Sequence, residues 1–221
     1  MTKIIAFEGI DGTGKSVQME RLKRRLEAEG KTVKTLSFPV YTSFFGAEVG
    51  KLLSGSEGTL ANEVDQKSMA LWFALDRFEA LRSFDYSDAD VLLFNRYVLS
   101  NAVYQSVRDR DLGKPDILDF VLSLEFDHLG LPRPDAYVVL DMSEGSAKGN
   151  VAKKGFRDYV GGEGSDVYES IPAIQQRARE KYHAFAERME NVFLIPCMED
   201  NRLMSIEAIG ALVDQALVGI V

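Results

Sequence analysis

The sequence contains only one cysteine, Cys197, among its 221 residues, so no internal disulfide can form. This cysteine follows the apolar stretch from Val192 to Ile195, which is typical of a buried core thiol rather than a nucleophile. Long hydrophobic runs are also missing, since no apolar segment reaches the roughly 18 residues of a membrane span. Glu8 and Asp11 interrupt the apolar start of the chain, so we expect no signal peptide. Together these absences predict a cytoplasmic protein with no membrane partner.

The sequence also has fewer basic than acidic residues. The chain has 26 Lys and Arg residues against 34 Asp and Glu residues, a formal net charge of −8. Long nucleic acids are held mainly through phosphate contacts, so we expect no nucleic-acid partner. Because the net charge of the protein is negative, a small anionic ligand can bind only where basic residues are concentrated in one cleft. A hydrophobic content of 46% and a length of 221 residues suit one soluble α/β domain.

The strongest motif is a glycine-rich turn from Gly9 to Ser16, GIDGTGKS, between the apolar strand Ile4–Phe7 and a run with helical spacing. This is the phosphate-binding pattern G-x-x-x-x-G-K-[ST] in its strand–loop–helix context, so a generic glycine turn is the weaker reading. Lys15 is expected to reach the β- and γ-phosphates of a nucleoside triphosphate, and the Ser16 hydroxyl to ligate Mg²⁺. The predicted ATP-binding residues are Gly9, Ile10, Asp11, Gly12, Thr13, Gly14, Lys15, Ser16 and Val17.

Apolar strands alternate with helical patterns along the whole chain. The predicted strands are Lys3–Glu8, Thr32–Ser37, Val91–Asn95, Ala136–Asp141 and Val192–Pro196. The predicted helices are Lys15–Glu29, Asn62–Phe84, Ser100–Val107, Pro115–Phe126, about Ser170–Glu190 and Ser205–Leu217. The strands are continuous apolar runs rather than alternations, which favours strands buried on both faces. We therefore predict one α/β domain over residues 1–221, with a doubly wound five-stranded parallel sheet and ligands at the carboxyl ends of its strands.

A glycine-rich basic stretch follows the fourth predicted strand. Between Met142 and Val167 the sequence has six glycines, with Lys153, Lys154 and Arg157 among its basic residues. This composition favours a mobile lid over bound phosphates, at about 143–167, over an ordinary solvated loop.

Aromatic and polar side chains cluster at the predicted strand ends and on the long helix. Phe38 and Tyr41 flank Pro39 after the second strand. Phe73 and Arg77 are four residues apart on the long helix, so they share a face. That pairing suits a base stacked on Phe73 with Arg77 gripping a phosphate in a bidentate manner, although a core Phe with a solvated Arg is the simpler alternative.

Five further positions, at or just before two later helices, have candidate roles. Ser100 is a predicted N-cap for the helix after the third strand, and Asn101 and Tyr104 share a face of that helix. The Asn101 side chain carries a donor and an acceptor suited to a base edge. Pro172 favours a helix that begins near Ser170, which leaves Tyr168 and Glu169 at the edge of the lid.

These motifs, in this order, resemble the thymidylate kinase family, whose members convert dTMP to dTDP with ATP. The resemblance spans nearly the whole chain. It rests on the Phe7–Ser16 segment, Phe38-Pro39, Phe73–Arg77, and Arg96-Tyr97 followed by Ser100–Ala102 and Tyr104. Together they are far more specific than the phosphate loop alone.

The resemblance implies roles for individual residues. Phe73 would stack on thymine, Arg77 and Arg96 would hold the dTMP phosphate, and Asn101 would contact the base. Tyr104 would pack under the deoxyribose and disfavour a 2′-hydroxyl. The other implied residues are the pocket residues Phe38, Tyr41 and Tyr168, the catalytic residues Lys15, Asp11, Arg96 and Arg157, and the metal ligands Ser16, Asp11 and Glu169. Because position 12 is glycine rather than arginine, the lid is expected to supply the catalytic cation. The resemblance also implies Mg²⁺ as cofactor, ATP and dTMP as ligands, and a homodimer.

The sequence departs from the family pattern at two positions. Asn95 stands where the family usually has Asp, which removes a charge that would hold Mg²⁺ or position Arg96. Val17 stands where a Thr hydroxyl is usual. Asp141 at the end of the fourth strand is an alternative metal ligand by pattern.

Three other functions remain open on the sequence. A kinase for another monophosphate, such as dUMP or dGMP, fits the same motifs. Asn95 also allows a relative that binds nucleotide with impaired catalysis. A GTP-binding switch needs an Asn/Thr-Lys-x-Asp segment at a strand end, and the nearest match, Gly113–Asp116, lies between predicted helices.

Overall fold

A computed structural model of the chain describes residues 2–143, 145–147, 168 and 172–221. Its centre is a parallel sheet of five strands in the order β2-β3-β1-β4-β5. The strands are β1 (Lys3–Glu8), β2 (Val33–Ser37), β3 (Val91–Asn95), β4 (Ala136–Asp141) and β5 (Val192–Pro196). The predicted fold class is confirmed, because helices flank this sheet and the five strands match their predicted positions to within one residue.

The core lies along the three central strands. In the ladder, Ile5 of β1 is paired with Leu93 of β3 on one side and with Ala136 of β4 on the other. All three side chains are fully buried. Continuous apolar strands of this kind are stable only when helices cover both faces of the sheet. The thiol of Cys197 is also buried, which raises its pKa to about 12 and leaves it unreactive, as the sequence predicts.

Helices pack around the sheet, and seven α-helices have bounds that lie wholly within the described residues. They are α1 (Lys15–Ala28), α2 (Phe44–Ser54), α3 (Gln66–Ser83), α4 (Val98–Arg108), α5 (Leu118–Leu122), α6 (Pro172–Ala186) and α7 (Ile206–Ala216). A π-helical segment, Ser123–His128, continues directly from α5. None of the helices in the described ranges is long and apolar enough to cross a membrane.

Several predicted element boundaries are wrong. Helix α2 and a small hairpin, β6 (Met198–Glu199) with β7 (Arg202–Leu203), were not predicted. Helix α3 begins at Gln66 rather than Asn62, because the Asp65 carboxylate accepts hydrogen bonds from the N–H groups of Lys67 and Ser68 and so caps the helix there. Helix α4 begins at Val98, so Ser100 is not its N-cap.

Candidate active site

The phosphate-binding loop joins β1 to α1 at the carboxyl edge of the sheet. Gly9 has a φ of 128°, and a Cβ placed there would lie 2.7 Å from the Leu140 carbonyl oxygen, so only glycine fits. Gly14, with a φ of 87°, precedes α1, which begins at Lys15. The first N–H groups of a helix have no partner within the helix, so this turn can bind an anion.

Lys15 and Ser16 occupy the start of α1. The Lys15 ammonium is buried and donates hydrogen bonds to the carbonyl oxygens of Gly9 (3.0 Å) and Ile10 (2.8 Å). The positive charge of Lys15 therefore lies directly beside the phosphate-binding loop. Val17, also predicted to bind ATP, is 47% exposed on the next position of the helix.

A cavity adjoins the loop and is lined by aromatic, apolar and charged side chains, as is typical of small-molecule sites. All eight predicted substrate-binding residues line it: Phe38, Tyr41, Phe73, Arg77, Arg96, Asn101, Tyr104 and Tyr168. Asp11 of the phosphate loop lines it too, so the loop and the predicted substrate residues meet in one cleft. Ser100, Gln105 and Leu53 also line the cavity, and sequence reasoning had not placed them there.

Arg96 lies where β3 ends, between the loop and the cavity. Its backbone is in the left-handed region, with a φ of 64°, and such strain in a non-glycine residue is concentrated at functional sites. Its Nη2 lies 2.5 Å from Asp11 Oδ1, and its Nη1 donates to Ser100 Oγ at 3.1 Å. Burial opposes the charge of Arg96, but Asp11 outweighs it, and the pKa of the guanidinium is raised above its ordinary value. Arg96 therefore presents a permanent positive charge to the cavity.

A buried carboxylate below Arg96 organises this corner of the site. Glu8, at the end of β1, accepts hydrogen bonds from the Tyr97 N–H (2.8 Å), the Ser100 N–H (3.2 Å) and the Tyr182 hydroxyl (3.1 Å). Its complete burial raises the pKa of its carboxyl group above the ordinary value. Glu8 thus ties β1 to the start of α4. The one signal for it in the sequence was a charged residue at the end of a buried strand.

Tyr104 and Tyr168 form an aromatic wall of the cavity. Their ring centroids are 6.0 Å apart with nearly parallel planes, and the Arg96 guanidinium lies over the Tyr104 ring at 5.3 Å. The Tyr104 hydroxyl donates to Asp11 Oδ2 at 3.3 Å. Tyr168 is buried, and its hydroxyl accepts from Arg108 Nη1 at 3.2 Å. Both rings are thus held in place by the charged residues around them.

Arg77 has a different partner from the one expected. Its Nε and Nη2 donate to Glu125 Oε2 and Oε1, each at 2.5 Å, and the side chain is 2% exposed. The Arg77 guanidinium therefore cannot offer the same two donors to a phosphate without giving up Glu125. Asn101 Nδ2 also donates to Glu125, at 2.9 Å. Arg77 and Asn101 therefore share one buried carboxylate, whereas Arg96 is paired with Asp11 of the loop. The expectation of a bidentate phosphate grip by Arg77 is not supported by this geometry.

Asn95 and Ser16 are the described residues best placed to hold a metal ion. Asn95 Nδ2 lies 3.3 Å from Ser16 Oγ, and Asn95 Oδ1 is buried without a hydrogen-bond partner among the described residues. Amide and hydroxyl oxygens are ligands that Mg²⁺ accepts, and a half-turn of the Asn95 carboxamide would bring its oxygen beside the Ser16 hydroxyl in place of Nδ2. No group of three or more His, Cys, Asp or Glu side chains within the described ranges could hold a metal by itself.

Asp141 is already engaged by other residues. Arg179 Nε and Nη2 donate to its two oxygens at 2.6 and 2.9 Å, and His183 Nε2 lies 3.0 Å from Oδ1. Burial would raise the pKa of Asp141, but the hydrogen bonds from Arg179 and His183 lower it below its ordinary value. The alternative of Asp141 as a metal ligand is therefore not supported.

The predicted lid cannot be placed. Arg157, Lys153, Lys154 and Glu169 all lie outside the described residues, as does most of the segment 143–167.

The segment that carries Phe38 and Tyr41 is held by a buried carboxylate of α3. Asp76 Oδ1 accepts from the Val40 N–H at 3.0 Å, while Oδ2 is buried without a hydrogen-bond partner among the described residues. A Cβ at Gly46 of α2 would lie 1.9 Å from the Val40 carbonyl oxygen, so helix and segment are in close contact. Burial raises the pKa of Asp76 from 3.8 to about 6.

This shift makes stability depend on pH. Between pH 4 and 6 the folded state keeps a proton on Asp76 that the unfolded state releases, so the stability contributed by this group falls as pH rises. We expect the difference in unfolding free energy between the wild type and Asp76→Asn to fall by up to about 3 kcal/mol across this window. Urea unfolding at several pH values measures it. An identical pH slope for both proteins would contradict the assignment.

A parallel sheet of this order, a G-x-x-x-x-G-K-S loop at its carboxyl edge and the adjoining cavity define a P-loop kinase of the α/β class. The profile of the thymidylate kinase family matches residues 7–203. The chain belongs to the thymidylate kinase family, a family of nucleoside monophosphate kinases.

Individual relatives agree with this membership. The thymidylate kinase of Mycobacterium tuberculosis (strain H37Rv) is 36% identical over 186 residues, which cover 83% of this chain and 85% of that protein. The thymidylate kinase of Caldicellulosiruptor saccharolyticus is 31% identical over 199 residues, or 86% of this chain and 92% of that protein. A solved structure of the Candida albicans thymidylate kinase superposes with a TM-score of 0.72, over 99% of this chain and 92% of that one. At 17% identity this structure supports the fold alone.

Proposed function

We propose that this protein transfers the γ-phosphoryl group of ATP to dTMP, giving dTDP and ADP. The observation that carries the proposal is the ion pair between Asp11 and Arg96. Asp11 belongs to the phosphate-binding loop, and both residues line the cavity that also contains Phe73 and Asn101. A monophosphate with its base beside Phe73 would therefore direct its phosphate toward the loop that binds ATP.

The reaction requires charge neutralisation more than proton transfer. The acceptor phosphate oxygen is already ionised, so an in-line displacement at the γ-phosphorus needs no strong general base. Lys15 binds the β- and γ-phosphates, and Arg96 holds the dTMP phosphate beside them. Arg157 of the lid is proposed as the further cation, with Lys153 and Lys154 as alternatives, because the loop itself has Gly12 where an arginine would otherwise serve. The main catalytic requirement is therefore to bring the phosphates of ATP and dTMP together in a site that excludes water.

The other end of the cavity suits a pyrimidine deoxynucleoside. Phe73 offers a ring face for stacking, and Asn101 with Arg77 offers hydrogen-bonding groups to the base edge. Tyr104, stacked on Tyr168, packs under the sugar, where it disfavours a 2′-hydroxyl. We assign Arg77 to the base rather than to the phosphate, and the carboxylate of Glu125, which accepts from both Arg77 and Asn101, supports this assignment. Phe38 and Tyr41 close the remaining wall.

Mg²⁺ is the proposed cofactor, and when bound it would neutralise the β- and γ-phosphate oxygens. Ser16 and Asn95 are the residues that would hold it, with Asp11 adding negative charge nearby and Glu169 as a further proposed ligand. Nδ2 of Asn95 now faces the Ser16 hydroxyl, and an aspartate there would offer a charged oxygen instead. The departure at position 95 therefore bears directly on metal affinity.

We expect Asn95→Asp to lower the Mg²⁺ concentration that gives half-maximal turnover by about tenfold, because ligand charge governs the affinity of such sites. The measurement is the initial rate at fixed ATP and dTMP over a range of Mg²⁺ concentrations. An unchanged metal titration would reject this role for position 95.

A coupled assay of ADP release over a panel of nucleoside monophosphates tests the proposed reaction. The proposal requires rapid ADP release with dTMP and little without an acceptor. Faster turnover with dUMP or dGMP would establish a kinase for another monophosphate. Binding of ATP and dTMP without dTDP formation would establish a relative with impaired catalysis. Acceptor-independent ADP release would indicate an ATPase or a switch protein that hydrolyses ATP.

The proposed setting is a homodimer in the cytoplasm that binds nucleotides and Mg²⁺, with no nucleic-acid or membrane partner. Large apolar side chains are exposed on neighbouring helices, with Phe44 of α2 64% exposed and Leu71 of α3 42% exposed. Such a patch suits a second copy of the chain. The net charge of −8 disfavours a nucleic-acid partner. Light scattering on the purified protein measures the mass of the assembly.

A further inference from the structure

The last residue of α4, Arg108, has a buried guanidinium that the proposed reaction does not use. Its side chain is 1% exposed, and it lies outside the set of residues that line the cavity. A guanidinium has five N–H donors and no acceptor, so its burial is costly unless those donors find partners. Nε and Nη2 donate to the two carboxylate oxygens of Asp109, at 3.1 and 3.3 Å. This ion pair balances the charge of Arg108, and the remaining donors can hold neighbouring groups in place.

The connection between α2 and α3 fixes the orientation of this guanidinium. Nη1 donates to the carbonyl oxygen of Ala61, and Nη2 donates to the carbonyl oxygens of Asn62, at 3.4 Å, and Val64. Because the guanidinium is planar and rigid, these contacts and the one with Asp109 together determine the direction of every remaining N–H group. Arg108 is therefore a fixed donor rather than a side chain that adapts to its surroundings.

One of these donors reaches the aromatic wall of the cavity. Nη1 of Arg108 donates to the Tyr168 hydroxyl at 3.2 Å, and that hydroxyl donates to Gln105 Oε1 at 3.3 Å. At the other end of the residue, the Tyr168 carbonyl oxygen accepts from Gln175 Nε2 at 3.1 Å. A tyrosine held both at its hydroxyl and at its backbone has a single ring orientation. That orientation is the one in which the Tyr168 ring stacks on Tyr104.

We propose that Arg108 is a positioning residue for dTMP binding, because it holds the Tyr168 ring against Tyr104 and so presents a preformed wall to the sugar. This inference rests on the proposed function and deepens it. Tyr168 and Tyr104 line the cavity, whereas Arg108 acts only through them. Without the hydrogen bond from Arg108, the Tyr168 ring would have to be ordered when the ligand binds, and such ordering lowers affinity. ATP binds at the phosphate loop, so its affinity should not depend on Arg108.

Arg108→Lys keeps the buried charge but removes the planar fork. A single ammonium group can serve Asp109 and the backbone carbonyl groups, but it cannot also reach Tyr168. By calorimetry on the full chain, we expect the dissociation constant of dTMP to rise about tenfold and that of ATP to change by less than about twofold. The matched control is Arg110→Lys, because the Arg110 side chain is 64% exposed and lies 3.7 Å from Glu180. It should leave both dissociation constants unchanged.

A double-mutant cycle with Tyr168→Phe separates positioning from general support of the fold. Phenylalanine keeps the ring and the backbone contact with Gln175 but removes the hydroxyl that Arg108 holds. Tyr168→Phe should therefore raise the dissociation constant of dTMP about tenfold, and adding Arg108→Lys should change it by less than about twofold more. If Arg108 only supported the connection between α2 and α3, Arg108→Lys would raise the constant by the same factor with Tyr168 or phenylalanine present. That result would overturn the proposal.

The outcomes distinguish this inference from the proposed function. A wild-type chain that does not bind dTMP overturns both. If the wild type binds dTMP, then unchanged dTMP affinity in Arg108→Lys, or an equal loss of affinity for ATP, overturns this inference alone. If Arg108→Lys does not fold, Tyr168→Phe still tests the contact, because Arg108 and its carbonyl partners remain in place. Wild-type dTMP affinity in Tyr168→Phe would then overturn the inference, and a tenfold loss would support it.

Discussion

Lys15→Ala should reduce the turnover of ATP and dTMP by about 10³-fold or more. The Lys15 ammonium is buried against the carbonyl oxygens of Gly9 and Ile10, at the point where the β- and γ-phosphates of ATP are expected. Removing a cation of this kind leaves the charge that develops in phosphoryl transfer without its nearest partner. The backbone N–H groups of the loop and of α1 remain in the variant, so ATP binding should weaken less than turnover.

The measurement is the kcat of ADP release at saturating dTMP, together with the dissociation constant of ATP. Lys23→Ala is the matched control, because Lys23 lies on the same helix and pairs only weakly with Glu27 at 3.9 Å. It should retain wild-type kcat. A Lys15→Ala protein with turnover within a factor of ten of the wild type would contradict the assigned role.

Arg96→Ala should lower kcat/KM for dTMP by about 10³-fold. Two effects act in the same direction. The variant loses the guanidinium that meets the acceptor phosphate, and it leaves the Asp11 carboxylate without the partner that now lies at 2.5 Å. An unneutralised carboxylate repels an incoming phosphate, so KM for dTMP should rise and kcat should fall.

Arg96→Lys separates charge from geometry. Lysine keeps a positive charge but lacks the planar fork that binds Asp11 and Ser100 together. We expect it to recover less than a tenth of the lost kcat/KM, measured over a range of dTMP concentrations at saturating ATP. Full recovery in Arg96→Lys would show that only the charge matters, and unchanged kinetics in Arg96→Ala would remove Arg96 from the site.

Local patterns predicted the loop and most of the cavity. The glycines, Lys15 and Ser16 are contiguous in sequence, so their spacing alone specifies a turn that leads into a helix. Phe73 and Asn101 could be assigned because each lies on a helix of regular period and belongs to a recognisable motif. The structure brings these scattered motifs into one cavity, because the carboxyl ends of parallel strands meet along one edge of the sheet.

Contacts between residues far apart in the chain could not be predicted from the sequence. Glu8 accepts from Tyr182, which is 174 positions away, and no local spacing reveals that contact. Arg77 was predicted to bind a phosphate from its spacing with Phe73 and from the resemblance to the family, whereas in the structure two of its donors bind Glu125, 48 positions further on. Helix α2 was missed although its sequence carries local signals, since the Ser43 side chain caps its first turn and Gly55 ends it in the left-handed conformation.

By itself, the amino-acid sequence determined the α/β class, the five strands, the phosphate-binding loop and the set of side chains that meet at one cleft. These features follow from periodicity and from motifs a few residues long, where steric limits and hydrophobic spacing act locally. Only the tertiary structure decided which charges pair inside that cleft. Those pairs join residues far apart in the chain, and in a buried site a carboxylate binds whichever donors the packed fold places within hydrogen-bond distance.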